Sequence, residues 1–145
     1  MTKIFKKTID VIFVIAIILL IIYFALRLLG IAEIYKVKTG SMEDNIHTGD
    51  YILIYNKKDY KVGDIVTYQK GNYHVTHRII SKEGNKFITK GDANNTPDEE
   101  INKKAIIGKV IYHGGIINFL IDFKYAIASG LLGLYLISYY FEKKE

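Results

Sequence analysis

Cysteine is absent from the 145 residues and proline occurs once, at position 97. The first absence excludes a disulfide framework, a cysteine-built metal centre and a thiol nucleophile. A chain of this length has no room for a multidomain enzyme and accommodates one modest domain. An excess of one charge sign is also scarce. Twenty Lys and Arg against 15 Asp and Glu give +5, dispersed as +2 in residues 1–10, +1 from Arg27, +2 in residues 33–115 and none beyond. No face is basic enough for a nucleic-acid partner. The sequence also lacks internal repeats and low-complexity segments, and residues 94–100 form its one long polar loop.

Two stretches lack charge altogether: residues 11–26, a run of 16, and residues 125–141, a run of 17. With Arg27 snorkelling to the headgroups and residues 28–32 added, the first reaches the ~20 residues of a spanning helix. It exceeds the ~7–15-residue core of a cleaved signal peptide, although Lys3, Lys6, Lys7 and the small-x-small segment Gly30-Ile31-Ala32 imitate one. Transmembrane helices are therefore expected over 11–32 and 123–141, the latter reached through a membrane-proximal connector at 116–122; a buried or interfacial helix is the alternative for the second. Lys3, Lys6 and Lys7 before the first run and Lys143 and Lys144 after the second place both termini, 1–10 and 142–145, in the cytoplasm. Residues 33–115 are then extracytoplasmic.

That middle segment has no sustained 3.6-residue period. It carries short β-branched and aromatic runs separated by Gly, Asn and Asp, which predicts strands over 35–38, 51–55, 65–69, 75–82, 86–90 and 106–113. Glu83-Gly84-Asn85 predicts a hairpin, and Gly49-Asp50 and Gly63-Asp64 read most simply as turns. The expected fold class is mainly β: a small extracytoplasmic β-rich domain between two transmembrane helices.

Nucleophilic catalysis needs a hydroxyl or thiol, a base and usually a group that orients the base. Of the four serines, Ser129 and Ser138 lie in the second apolar run and Ser81 in a hairpin strand, whereas Ser41 follows a glycine in Thr39-Gly40-Ser41-Met42. The candidate bases are His47, His74, His77 and His113. His74 and His77 stand three apart on a strand and point to opposite faces, which disfavours a shared metal. Asp92 and Asp98 flank the polar loop, and either could orient a histidine. Spacing alone leaves these choices open.

Read together, five segments resemble type I signal peptidases of the SipW-like branch, which is shared by archaea, spore-forming bacteria and the endoplasmic reticulum. Thr39-Gly40-Ser41-Met42-Glu43 resembles the nucleophile motif, and the segments 49–54 and 62–68, each opening on Gly-Asp or Val-Gly-Asp, resemble the next two boxes. Val75-Thr76-His77-Arg78-Ile79-Ile80 resembles the box that carries histidine where the common bacterial branch has lysine. Thr89-Lys90-Gly91-Asp92-Ala93-Asn94-Asn95, with Asp98, resembles the acidic box. Two departures stand out. Asp44 takes the place of a common proline, which predicts a looser turn after Ser41, and Thr39 stands where serine is frequent.

The resemblance implies a membrane-bound serine endopeptidase that removes signal peptides after small residues. It assigns Ser41 as nucleophile, His77 as general base, Asp98 as the orienting acid with Asp92 supporting, and the Thr39 hydroxyl and Ser41 N–H as oxyanion donors. It implies no cofactor and no metal. The implied partners are secretory preproteins, the bilayer, and accessory membrane subunits or a translocon. Ser41 stands nine residues past Ala32, within about 30 Å of the membrane at ~3.3 Å per residue. Two rival readings remain: a Ser-Lys peptidase using Lys82 or Lys86, and a membrane-anchored β module that binds a protein without catalysis.

Overall fold

The computed structural model describes residues 3–56 and 59–143; Lys144, used above for orientation, lies outside them. Helix α1 spans Lys3–Leu28. Its end differs from the expected 11–32 span, and the cause is local. Gly30 adopts φ 62°, its N–H donates to the Arg27 carbonyl at 3.0 Å, and the Ile31 N–H donates to the Leu26 carbonyl at 2.9 Å. This pair of bonds is a Schellman cap, which terminates a helix and redirects the chain. Ala32 thus leaves the span and begins a strand.

Seven strands follow: β1 Ala32–Lys36, β2 Tyr51–Tyr55, β3 Ile65–Lys70, β4 Tyr73–Glu83, β5 Lys86–Lys90, β6 Ile101–Asn102 and β7 Ile106–His113. All pair antiparallel in one sheet of order β1-β2-β7-β3-β4-β5-β6. β1 starts and ends earlier than expected, yet Val37 continues its pairing by donating to the Asp50 carbonyl at 2.8 Å and accepting from Gly49 at 2.9 Å. β4 begins two residues before the expected strand because Gly71, at φ 60°, makes a tight turn with Asn72. β6, a two-residue pairing with β5, was not expected. The Gly84-Asn85 hairpin joins β4 to β5 as the turn chemistry indicated.

The sheet carries its core as two clusters. Tyr60, Val66, Tyr68, Ile79, Phe87 and Ile106 form one, and Met42, Ile46, Ile52, Ile54 and Val110 the other. Alternation explains the membership: Ile52 and Ile54, or Val66 and Tyr68, are two apart and share a face. Burying these side chains fixes the register, because a one-residue slip would turn each to the opposite face.

Beyond the sheet, residues 115–122 form a helix, α2 Gly115–Asp122, where a connector was expected. α3 Lys124–Glu142 follows after Phe123, with a 67° bend between the two. Phe13 of α1 stacks on Tyr135 of α3 at 4.9 Å between ring centroids. By length and composition, α1 qualifies as a candidate span over Lys6–Leu28, and α2 with α3 qualifies only as a bent pair.

Candidate active site

The chain leaving β1 turns at Gly40-Ser41-Met42-Glu43. Glu43 N–H donates to the Gly40 carbonyl at 3.0 Å, and Ile46 N–H to the Met42 carbonyl at 2.9 Å. Met42 and Ile46 are buried in the core and so pin both sides of the turn. The turn after Ser41 takes a form that the common proline does not allow. Asp44 adopts φ 76°, a value that proline, fixed near −65°, does not reach. The loop after β5 grips the same turn from outside: Ala93 N–H donates to the Ser41 carbonyl at 3.0 Å. Gly91 lies so close that a Cβ there would stand 2.4 Å from that oxygen.

His77, on β4, is 6% exposed. Its Nε2 lies 3.0 Å from Ser41 Oγ and its Nδ1 lies 2.6 Å from Asp98 Oδ2. An ionised carboxylate only accepts, so Nδ1 carries the proton and Nε2 is left to accept from the serine hydroxyl. The same Oδ2 accepts from Thr89 Oγ1 at 2.7 Å and from the Tyr68 hydroxyl at 3.3 Å. Burial pushes the Tyr68 phenol up, which keeps it a donor. Asp98 N–H donates to the Thr89 carbonyl at 2.8 Å, so backbone and side chain together hold Asp98 to β5.

Asp92 lies in a separate cluster. Arg78 grips it with two bonds, Nε to Oδ1 at 2.8 Å and Nη2 to Oδ2 at 2.6 Å, and Asn45 Nδ2 donates to Oδ2 at 2.7 Å. Arg78 hydrogen bonding, against the opposing effect of burial, holds the Asp92 carboxyl below its usual range. Strand alternation puts Arg78 on the face opposite His77. Asn45, four residues after Ser41, and Asp92, next to the glycine that abuts Ser41, are thereby tied to β4.

A cleft of about 750 Å³ opens over Ser41 and His77. Tyr35, Lys36, Val37 and Lys38 form one wall, and Tyr73, His74 and Val75 the other; Thr39 also lines it. Residues 31–111, which contain the whole of this arrangement, match the family described as Peptidase S24-like. The chain belongs to the S24-like peptidases. It is 32% identical to the signal peptidase complex catalytic subunit SEC11 of Scheffersomyces stipitis, covering 74% of this chain and 76% of that protein. SEC11 of Metarhizium acridum is 32% identical, covering 61% of this chain and 62% of that protein. SEC11 of Chaetomium globosum is 36% identical, covering 55% and 56%. The S24-like chain therefore spans less than two thirds of the length of the latter two relatives.

In this S24-like site Ser41 Oγ is hydrogen-bonded to His77, and the other candidate bases have different neighbours. His47 is exposed beside Glu43 and Asp50, and His113 is an exposed residue opposite Ile52. His74 meets the Tyr35 ring edge-on at 4.8 Å. Burial, with help from Glu33, pushes the Tyr35 phenol up to about 12. Lys82 bonds Asp59 and the Tyr60 carbonyl, and Lys86 pairs with Glu100. Sequence reasoning assigned no role to Thr89, Tyr68 or Asn45. A signal existed for Thr89, which is two residues from Phe87 and so shares its inward face. None existed for Asn45, whose partner is 47 positions away.

Proposed function

We propose that the chain is a membrane-anchored signal peptidase, a serine endopeptidase that removes N-terminal signal peptides from exported preproteins after small residues. The observation that carries this reading is the continuous array Ser41 Oγ–His77 Nε2–His77 Nδ1–Asp98 Oδ2, with contacts of 3.0 and 2.6 Å. In this reading Ser41 Oγ attacks the scissile carbonyl carbon while His77 Nε2 takes its proton. The carbonyl π electrons move to oxygen, where the Ser41 N–H and the Thr39 hydroxyl, both of cleft-lining residues, would donate; one such donor is worth ~3–4 kcal/mol. The C–N bond then breaks, and His77 returns the proton to the leaving amine. Water, deprotonated by the same imidazole, releases the acyl group from Ser41. Asp98 orients His77 and stabilises the imidazolium in both halves. Asp92, gripped by Arg78, holds the loop that contacts Ser41.

The cleft suits an extended peptide. Val37 directs both backbone groups toward residues 49–50, so strand alternation turns those of Lys36 and Lys38 the other way, toward the cleft. A substrate strand adding there would be held through its main chain. The reading includes two spans, α1 and the α2–α3 region, with residues 33–115 outside the cytoplasm, preproteins as substrates, and accessory membrane subunits or a translocon as partners. The SEC11 relatives, named as subunits of a complex, support the last point.

The test uses the full chain in proteoliposomes with a preprotein whose apolar signal is embedded in the same bilayer. Wild type should release a mature protein with one new N-terminus after a small residue. Ser41→Ala should leave the melting temperature unchanged and abolish cleavage; cleavage at the wild-type rate would defeat the proposal.

A further inference from the structure

We infer that α2 is an in-plane membrane strut: its outward face lies in the interfacial layer of the bilayer and, through Asn118, sets the height and tilt of the catalytic cleft. This rests on the reading of α3 as a membrane span, and adds to it a lipid-facing surface and a positioning residue.

The outward face is Ile116, Phe119, Leu120 and Phe123, respectively 62%, 53%, 49% and 53% exposed. Their spacing of i, i+3, i+4 and i+7 is one stripe of a helix. The inward face is Ile117, which is buried, and Asn118. A helix tied to the sheet through Asn118, with four large apolar side chains exposed along one stripe and the exposed Gly115 and Asp122 at its two ends off that stripe, needs a nonpolar environment over the stripe. Continuity identifies the environment. Only Phe123 separates α2 from α3, so if α3 enters the bilayer, α2 ends at its surface. The 67° bend directs α2 away from the axis of the span and toward the membrane plane. Lys124 and Tyr125 mark the junction, with the ammonium 5.2 Å from the ring centroid and Tyr125 80% exposed. A cation and an aromatic ring at the head of a span are characteristic of the headgroup layer.

The inward side connects the strut to the cleft. The Asn118 amide donates from Nδ2 to Asp50 Oδ1 at 2.7 Å, and its Oδ1 accepts from the Tyr51 N–H at 2.7 Å. The Asp50 carbonyl in turn accepts from the Val37 N–H at 2.8 Å, and Val37 is part of the cleft wall four residues before Ser41. Three hydrogen bonds thus run from a lipid-facing helix to the edge where a peptide would pair. A substrate anchored in the same membrane presents its scissile bond at a fixed height, so the strut matches the cleft to it.

The chain has no tryptophan, which makes a single introduced indole a clean depth probe. Phe119→Trp, with Leu120→Trp as the alternative should the first fail to fold, is reconstituted as the full chain in vesicles whose lipids carry bromine at shallow or deep acyl positions. Leu132→Trp in α3 serves as the spanning reference. The strut requires blue-shifted emission at 119 or 120, quenched more by shallow than by deep bromine, with the reverse order at 132. Water-like, unquenched emission at 119 and 120 while 132 is quenched would overturn it, as would deep quenching at all three. Absence of quenching at 132 would instead remove the span reading, and the strut with it. The coupling is tested by Asn118→Ala. Cleavage of a membrane-embedded preprotein should fall roughly tenfold, since misplaced reacting groups cost that much or more, while cleavage of a short soluble peptide stays unchanged. An equal loss on both substrates would reduce Asn118 to a fold-holding role and overturn the coupling.

Discussion

At the scale of single residues, the site distinguishes side chains that composition treats alike. Four histidines are present, and one is buried against both a serine hydroxyl and a carboxylate. His77→Ala should therefore abolish cleavage, while His74→Ala and His113→Ala retain turnover, with any effect of His74 confined to KM because it lines the cleft. His77→Lys is the more demanding variant. A neutral base is required, but Asp98 would stabilise an ammonium placed beside it and keep it protonated. Turnover near wild type for His77→Lys would refute the assignment. The two aspartates should separate in a different way. Asp98→Asn is expected to remain folded and to lose turnover by orders of magnitude, since it disrupts the imidazole tautomer. Asp92→Asn removes the charge that Arg78 and Asn45 grip, and it should lower the melting temperature at least as clearly as the rate. Paired measurements of kcat and melting temperature check both; an active Asp98→Asn enzyme would exchange the roles.

At the scale of elements, two glycines carry structure for opposite reasons. Gly30 has φ 62° and open space around a would-be Cβ, so Gly30→Ala adds only backbone strain, about 1–2 kcal/mol. The expected result is a lower melting temperature with the active site intact. Gly91 has an ordinary φ, but a Cβ would collide with the Ser41 carbonyl. Overpacking of this kind costs ~1–3 kcal/mol, and here relief comes from moving the turn that holds Ser41. Gly91→Ala should accordingly lose activity out of proportion to its loss of stability, and a variant with wild-type kcat would show that the turn tolerates the shift. Strands 51–55, 86–90 and 106–113 were legible end to end, because β-branched and aromatic residues are concentrated there between turn signals. β6 was not, because two residues carry no period and its pairing depends on β5. The end of α1 was misplaced because apolar character continues through Ile31 and Ala32, while the cap that stops the helix depends on backbone bonds rather than hydropathy.

At the scale of the whole molecule, topology and acid stability are open to direct measurement. Single cysteines at Thr2, Asn72 and Glu145, introduced into a chain that has none, should give labelling by an impermeant thiol reagent on intact cells only at position 72. Labelling at 145 without labelling at 72 would invert the proposed orientation. Acid stability follows from the carboxylates. Asp92 is held below its usual range by Arg78. Asp50 is also lowered: burial opposes this, but the His47 N–H and the Asn118 amide more than offset it. A carboxyl with a depressed folded pKa binds fewer protons folded than unfolded, so its contribution is complete above the unfolded value near ~4 and is lost as pH falls through the folded one. The melting temperature should therefore drop as pH is lowered below about 4, and the drop should be shallower in Asp92→Asn. An equally steep acid limb in that variant would remove Asp92 from the account.

The sequence by itself determined what depends on neighbours along the chain. The charge-free runs follow from composition, most strand positions from β-branched and aromatic runs between turn residues, and the β4–β5 hairpin from Gly84-Asn85. It also marked Ser41, His77, Asp92 and Asp98 as candidates, since the glycine-containing and acidic boxes are contiguous. Only the tertiary structure decided the sheet order, because β3 pairs with β7 across some forty positions, as in Val66 opposite Lys109, and no local pattern encodes such a partner. The partners of the two aspartates were decided in the same way. His77 and Arg78 are adjacent in sequence but project from opposite faces of β4. Thr89 shares the His77 face, opposite Ile79 in the β4–β5 register, and draws Asp98 there. Arg78, on the other face, takes Asp92. Alternation across one strand separates the two carboxylates, and it acts only once β4 and β5 have paired.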